Sequence, residues 1–445
     1  MNNIKFLNHS SVLIQDKENF VLTDPWYEKP AFGSWLSTPP CSIHPAYLVS
    51  LSKTVENFTL VISHGHDDHL DDFYLSLFPK ETKVLIPKYK SRGLLKRLNR
   101  SNLTNIFEAD EEGVTLGGFT FKSYINPFIC PDDAIITIEG TENFIIHAND
   151  NWQKLRNPTL SKILKDSNKY EPQQKIYMSQ CNAADGWPYI YRDYSKDEKR
   201  LIHKSRLTNI ITNTLQNASS LDCKYFLNYA GHAAPFVKEK PELRKMISYV
   251  SNHIVKNIAA SLGTRVQVLD MIPGDTFDFN KVTKQFFGIS LEDSVVKQSS
   301  YDFYEAYDNT SNCDSFRKKS DISEYPLKQK MDSFLSGFDK FVMDRVHRSD
   351  FNIDIVGFKI VLNGDSVSSE KVIGGNESFN GKMATFYVKD YILQKLLSGE
   401  IIWENLYIGY QAEVQTSPLG TNIRAPVRWL ASYGYVYQLR CKKDG

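Results

Sequence analysis

The chain has 445 residues, 41% hydrophobic and 24% charged, and its 53 Lys and Arg against 52 Asp and Glu leave a net charge of +1. That length exceeds one ordinary domain and the composition is that of a folded globular protein, so two or three domains are expected. The near-zero charge argues against nucleic acid or an acidic membrane as partner, and leaves room for a local basic pocket that would hold a small molecule.

In chain order, the first 150 residues carry short apolar, branched runs that favour strands. They are Ser11–Ile14, Phe20–Leu22, Leu60–Ile62, Lys83–Ile86, Phe119–Phe121, Ala134–Ile138 and Asn143–Ile146. Helical periods intervene at 88–99 and 152–166. Beyond 195, Leu207, Ile210, Ile211 and Leu215 recur at helical spacing, followed by a strand at Cys223–Leu227, a long helix from Pro241 to Ser261 and a strand at Arg265–Leu269. Residues 276–330 are polar and mixed and read as a connecting segment, which bounds a first unit at 1–275. A second unit, 331–445, opens on a helical stripe of Phe334, Phe338, Phe341, Val342 and Val346. It continues with a strand at 353–362, a helix at 389–397 ended by Gly399, and aromatic-rich strands towards 440. The expected class is α+β, with strands dominant and helices outside them.

The six cysteines lie far apart with no Cys-x-x-Cys, which fits reduced thiols rather than a disulfide framework. No apolar run reaches the roughly 18 residues of a membrane-spanning helix. The start, Met1-Asn2-Asn3-Ile4-Lys5, reads as folded sequence without a secretory signal, so a cytoplasmic location is expected.

The most informative stretch is Ser63-His64-Gly65-His66-Asp67-Asp68-His69, directly after Leu60-Val61-Ile62. Three imidazoles and a carboxylate so close together converge only if the chain turns sharply, and Gly65 sits at that turn. Such a cluster suits Zn²⁺, Fe or Mn. Further polar residues stand at strand exits, where functional loops gather: Asp24, His147-Ala148-Asn149-Asp150 and Gly231-His232. His9 follows an N-terminal strand and could approach the same edge. His44, His203 and His253 have no ligand spacing.

The run His64-x-His66-x-Asp68-His69, with Asp24 upstream and Asp150 and His232 downstream, resembles the metallo-β-lactamase superfamily over residues 4–275. The resemblance implies an αββα sandwich with a dinuclear site at one edge. Carried over, His64 and His66 hold the first metal, Asp68, His69 and His232 the second, and Asp150 bridges the two. Asp24 then orients a ligand histidine from behind. One departure stands out. Where such hydrolases place a third histidine, this sequence reads Ser123 to Ala134 without one, leaving Asn126, Asp132 or Asp133 as oxygen donors or no protein ligand at all. Oxygen-richer coordination moves preference towards iron or manganese.

The stretches Ile145–Trp152, Met178–Pro188 and Met271–Thr276 are similar to the metal-binding region of CMP-N-acetylneuraminate hydroxylase-like proteins. That likeness implies a diiron oxygenase acting on an amino sugar or its nucleotide conjugate. The Rieske cluster of that family is missing, because no Cys-x-His partners a Cys-x-x-His, so electrons would come from a separate donor or the substrate. The alternative is hydrolysis of a phosphodiester, lactone or amide, with Asp68 orienting the water nucleophile as the catalytic residue. Trp187, Tyr189, Tyr191 and Arg192 are candidates for holding an anionic or sugar-like substrate by stacking and charge-assisted hydrogen bonds. Tyr391–Glu404 resembles sterol-carrier-like domains, which implies a cap over the site or a homodimer surface.

Overall fold

The computed structural model describes residues 3–27, 29–39, 43–126, 130–237, 240, 242–247, 250–284, 324–346, 358–364, 368–372 and 382–441. Two sheets form its centre. The first contains β1 (Asn3–Asn8), β2 (Ser11–Asp16), β3 (Asn19–Thr23), β5 (Asn57–Val61), β6 (Lys83–Pro87) and β7 (Ile106–Ala109), and takes in β16 (Thr276–Phe277) and β17 (Val282–Thr283). Their order is β17-β16-β1-β2-β3-β5-β6-β7. The second contains β8 (Val114–Leu116), β9 (Phe119–Asn126), β10 (Cys130–Glu139), β11 (Phe144–Asn149), β12 (Lys175–Ser179), β13 (Tyr225–Asn228) and β15 (Gln267–Val268), in the order β15-β13-β12-β11-β10-β9-β8.

Alternation along the strands decides the layering. Ile4, Phe6, Val21 and Val61 of the first sheet meet Phe121, Ile136, Ile176 and Leu227 of the second in one core. The outer face of the first sheet is covered by α1 (Pro45–Thr54), α2 (Asp72–Leu75) and α3 (Gly93–Leu98), through Leu48, Leu75 and Leu98. The outer face of the second is covered by α4 (Thr159–Ser167), α5 (Lys196–Ser220) and α7 (Asn252–Ser261), through Ile163, Leu215 and Val255. This is an αββα sandwich. The strands β3, β5, β6 and β7 run parallel, as do β11, β12, β13 and β15. The carboxyl ends of each parallel set share an edge, and loops at such an edge are where α/β proteins bind ligands.

Three readings of the sequence are corrected. The long helix from Pro241 to Ser261 is two helices, α6 (Glu242–Met246) and α7, because Ser251 caps a fresh start by accepting from the Ile254 N–H. The first unit does not end at 275, since Ile4 and Lys5 pair with Phe277 and Thr276. The segment after 417 is not strands. It is a helix, α11 (Arg424–Cys441), whose Trp429, Tyr433 and Tyr437 fall on one face at four-residue spacing. They pack on Phe334 and Phe341 of α8 (Glu324–Val346), with ring centroids 4.9–5.9 Å apart. Most of the expected connecting segment, 285–323, lies outside the described residues.

The C-terminal unit is completed by a sheet ordered β19-β18-β20-β21 and by two short helices. Its strands are β18 (Phe358–Gly364), β19 (Ser368–Val372), β20 (Lys382–Val388) and β21 (Ala412–Ser417), and its helices α9 (Asp390–Leu397) and α10 (Trp403–Tyr407). It shares a continuous apolar core with the sandwich, in which Trp26, Phe32, Trp35 and Tyr191 join Leu406, Tyr407 and Val414. Backbone bonds cross the seam: Arg192 N–H donates to Val414 O and Val414 N–H to Ile190 O, both at 2.8 Å. The contact is close enough that a Cβ on Gly409 would collide with the Phe32 carbonyl. A short ribbon, β4 (Trp35–Ser37) with β14 (Ala233–Pro235), closes the same side.

Candidate metal centre

Four strand exits turn towards one point, and each uses a non-glycine residue with positive φ. These are His9 after β1 (25°), Asp24 after β3 (35°), Asn149 at the end of β11 (55°) and Ala230 after β13 (51°). Left-handed backbone at non-glycine residues is uncommon and costs on the order of 1–3 kcal/mol each, and it clusters where side chains must be aimed. Gly65 is different. A Cβ there would meet nothing within 4 Å and its φ is not in the left-handed region, so the turn does not depend on glycine as the sequence suggested.

The side chains gather into two groups whose donor atoms lie within 4.8 Å of one another: His64, His66 and Asp150, and His9, Asp68 and His69. In the first, His64 Nε2 stands 2.7 Å from His66 Nδ1 and 3.8 Å from Asp150 Oδ2. In the second, Asp68 Oδ2 lies 3.2 Å from His9 Nε2 and 3.8 Å from His69 Nε2. The other oxygen of Asp150, Oδ1, is 3.6 Å from His69 Nε2. One carboxylate therefore faces both groups with different oxygens, the geometry a bridging ligand needs. The site residues His64, His66, Asp68, His69 and Asp150 are all brought together, and His9 joins them.

Behind these donors lies a buried polar network. Asp24 Oδ1 accepts from Ser63 N–H at 2.7 Å, and Oδ2 accepts from Ser63 Oγ at 2.7 Å and His69 Nδ1 at 3.0 Å. His147 Nε2 is 3.3 Å from the same Oδ2, and His147 Nδ1 is hydrogen-bonded to the Tyr229 hydroxyl. Asp24 thus fixes the His69 ring so that Nε2 points at the cluster, the arrangement by which carboxylates orient metal-binding imidazoles. The sequence placed His147 among the candidate ligands, but it lies one shell back.

The donor set fits divalent cations. His69 Nε2 and Asp68 Oδ1 are buried without a hydrogen-bond partner, a costly condition that a cation would relieve. Burial works against charge on His69, yet Asp68, Asp150 and Asp24 overcome it and hold the imidazole up at about 10. Burial, reinforced by Asp68 and Asp24, pushes Asp150 up to about 7. The pocket gathers carboxylates with few cations, a shortage of positive charge that a bound metal would relieve.

Asp133, in the stretch lacking the third histidine, is buried, and its Oδ1 accepts from Asn149 Nδ2 at 3.2 Å. Burial and then the Asp150 charge push its carboxyl far above the usual range. The side chains of Asn126 and Asp132 lie outside the described residues. His232 is buried at the same edge, its ring edge-on to Phe6 at 4.8 Å, but neither donor group includes it.

The expected substrate residues take a different place. Tyr191 Oη is 3.3 Å from Tyr407 Oη, Tyr189 packs on Tyr410, and Arg192 lies over the Tyr387 ring and pairs with Glu413. Trp187 packs in the same seam beneath Arg206, which pairs with Asp185. Their observed partners are structural, and they fasten the C-terminal unit. The aromatic-and-arginine pattern carried no signal that separates a docking seam from a sugar site. His44 caps α1, His203 packs on Tyr189, and His253 contacts Asn257 on α7.

These layers, with a His-x-His-x-Asp-His turn at the parallel-strand edge, make the αββα sandwich that the sequence resemblance implies. Comparison with solved structures finds the metallo hydrolase Igni18 of Ignicoccus hospitalis (14% identity, 63% of this chain and 99% of that one, TM-score 0.40). It also finds the diiron β-hydroxylase CmlA of Streptomyces venezuelae (16%, 60% and 52%, TM-score 0.39). A third is the isothiocyanate hydrolase of Delia radicum gut bacteria (12%, 62% and 98%, TM-score 0.39). A curated Mycolicibacterium smegmatis protein named for a Rieske 2Fe–2S iron–sulfur centre is 28% identical over 106 residues, 24% of this chain. The matched stretch spans only 20% of that relative. No family model matches. Among the described residues, no helix is long and apolar enough to cross a membrane.

Proposed function

We propose that the chain is a dinuclear metalloenzyme and that its chemistry is oxidative, an iron-dependent hydroxylation of a small molecule. His64, His66 and Asp150 would hold one ion, and Asp68, His69, His9 and Asp150 the other. The Ala230 N–H donates to the His9 carbonyl at 2.7 Å and ties the loop carrying His232 to that edge, but the His232 ring lies outside both donor groups. The observation that carries the oxidative reading is Asp133, a buried carboxylate beside Asp150 in the stretch that lacks a histidine. Counted with Asp68 and Asp150, Asp133 would bring three carboxylates to the four imidazoles, and added oxygen donors move preference from zinc towards non-haem iron or manganese. The Rieske-named relative is consistent with iron chemistry in a similar chain.

When bound, a pair of ferrous ions supplies O₂ activation. The protein's part is separable from that chemistry. Asp24 holds His69 in one tautomer, and Ser63 Oγ, 3.0 Å from His64 Nδ1, does the same for His64. Phe32 and Trp26 set aromatic edges against His66 and His9, which keeps water from that flank. Asp150 has 27% of its side chain exposed, against 0–9% for His64, Asp68, His69 and His9, so substrate approaches from the Asp150 side. An amino sugar or nucleotide sugar is the substrate class that the sequence resemblance suggests, with electrons from a separate donor.

Anaerobic purification, metal analysis and turnover with and without O₂ test the reading. Two irons per chain and O₂-dependent product are expected. Stoichiometric zinc with full turnover in the absence of O₂ would place the centre among hydrolases, with Asp68 orienting the attacking water.

A further inference from the structure

The ligand turn is not shaped by its glycine, and something else must hold it. Asp24 and Tyr89 hold its start at Ser63, and a further side chain from outside the turn holds its middle. Arg97, on α3, donates from Nη1 to the Gly65 carbonyl at 2.5 Å and from Nη2 to Asp67 Oδ1 at 2.8 Å and the Leu70 carbonyl at 3.1 Å. Its Nε donates to Asp72 Oδ2 at 3.1 Å and Oδ1 at 3.2 Å. One planar guanidinium thus grips the turn at Gly65, Asp67 and Leu70, which bracket His66, Asp68 and His69, and anchors them to the start of α2.

The brace is also kept dry. Only 16% of the Arg97 side chain is exposed. The Tyr435 phenol and Glu404 carboxyl of the C-terminal unit lie within electrostatic reach of Arg97 and Asp67. Gly434 of α11 approaches Trp403 of α10 so closely that a Cβ would stand 3.2 Å from its backbone nitrogen, which packs together the two helices that carry Tyr435 and Glu404. A largely buried guanidinium with several acceptors holds geometry far more firmly than an exposed ion pair.

We propose that Arg97 is a positioning residue of the metal centre, setting the spacing of His64, His66, Asp68 and His69 by fixing the backbone between them. The inference rests on the dinuclear reading above. Lysine at this position would keep the charge but offer a single nitrogen, too compact to span Gly65, Asp67, Leu70 and Asp72 together, so Arg97→Lys isolates the bracing role from the charge.

The test is a Co²⁺ titration of metal-free full-length protein, following the visible d–d bands, with circular dichroism and melting as folding controls. Wild type is expected to bind two Co²⁺. Arg97→Lys is expected to fold and bind Co²⁺ about ten- to a hundred-fold more weakly, with shifted bands that report altered ligand geometry. Asp67→Asn, which keeps an acceptor but loosens the grip, should shift the same bands by less. If Arg97→Lys does not fold, Asp67→Asn alone decides. A folded variant with wild-type affinity and bands overturns the proposal. Failure of wild type to bind Co²⁺ would instead overturn the dinuclear reading beneath it.

Discussion

The metal edge and the seam under the C-terminal unit are built from similar materials and end differently. Both bring together aromatic rings, carboxylates and an arginine. At the seam, several polar groups pair within it (Tyr191 meets Tyr407, Arg192 meets Glu413 and Asp193 Oδ2 accepts from Thr416 N–H at 2.7 Å), while single atoms such as the Tyr189 hydroxyl and Trp403 Nε1 lack a hydrogen bond. At the edge, His69 Nε2 and Asp68 Oδ1 are left without hydrogen bonds while four strand exits bend into left-handed backbone to bring them together. A folded chain tolerates such costs where a ligand repays them. Residue type therefore marks where chemistry is available, and imidazoles and carboxylates gathered with unpaired donor atoms beside left-handed strand exits mark where it is used.

The largest effect that would separate the two regions is at His66. His66→Ala is expected to abolish activity and reduce metal content below one ion per chain, while far-ultraviolet circular dichroism stays that of wild type. Metal retained at two ions would break the distinction. Next comes Asp150→Asn, which weakens the shared ligand without removing bulk. Elemental analysis should give occupancy falling towards one ion per chain, and two ions would show that the carboxylate does not bridge.

How much of this was legible in the sequence follows from the range of each interaction. The strands and the α+β class were legible because branching in short apolar runs is a local signal, whereas the αββα layering came only from the family resemblance. The ligand turn was legible because its donors are contiguous. His9 was noticed without ligand spacing, since its partners Asp68 and His69 are about sixty residues away. Arg97 was invisible: a lone arginine in a short helix gives no sign that it bonds to carbonyls of a distant turn. The α11 helix was readable from Trp429, Tyr433 and Tyr437 at four-residue spacing, but aromatic content pointed to strands. Trp187 to Arg192 looked like a sugar site because stacking rings and an arginine serve equally well in docking.

A smaller, pH-dependent effect belongs to Glu404, at the point where the two regions meet. Burial first, then the Asp67 charge, pushes its carboxyl up to about 8, with Arg97 opposing. The folded state therefore binds a proton that the unfolded chain releases near its ordinary value. Stability from this group is present in full below about 4.5, declines as pH rises, and is lost above about 8. Glu404→Gln, always neutral, should match wild type at pH 5 and melt about 2–4 °C higher at pH 8.5. Equal melting at both pH values would show that the carboxyl is not buried as described.

The smallest effect, at Arg192, separates the two regions most sharply. Its side chain is 48% exposed, its Nε lies 2.5 Å from Glu413 Oε2, and its guanidinium sits 3.8 Å over the Tyr387 ring. Exposed ion pairs and cation–π contacts contribute about 0.5–1 kcal/mol each. Arg192→Ala should therefore lower the melting midpoint by no more than a few degrees, leaving metal content, KM and kcat unchanged. A substrate-binding arginine behaves otherwise: losing a charge-assisted contact to an anionic group would raise KM about tenfold or more while the melting midpoint stayed put. The two outcomes move different observables, so one variant assayed both ways assigns Trp187 to Arg192 either to the seam or to the site.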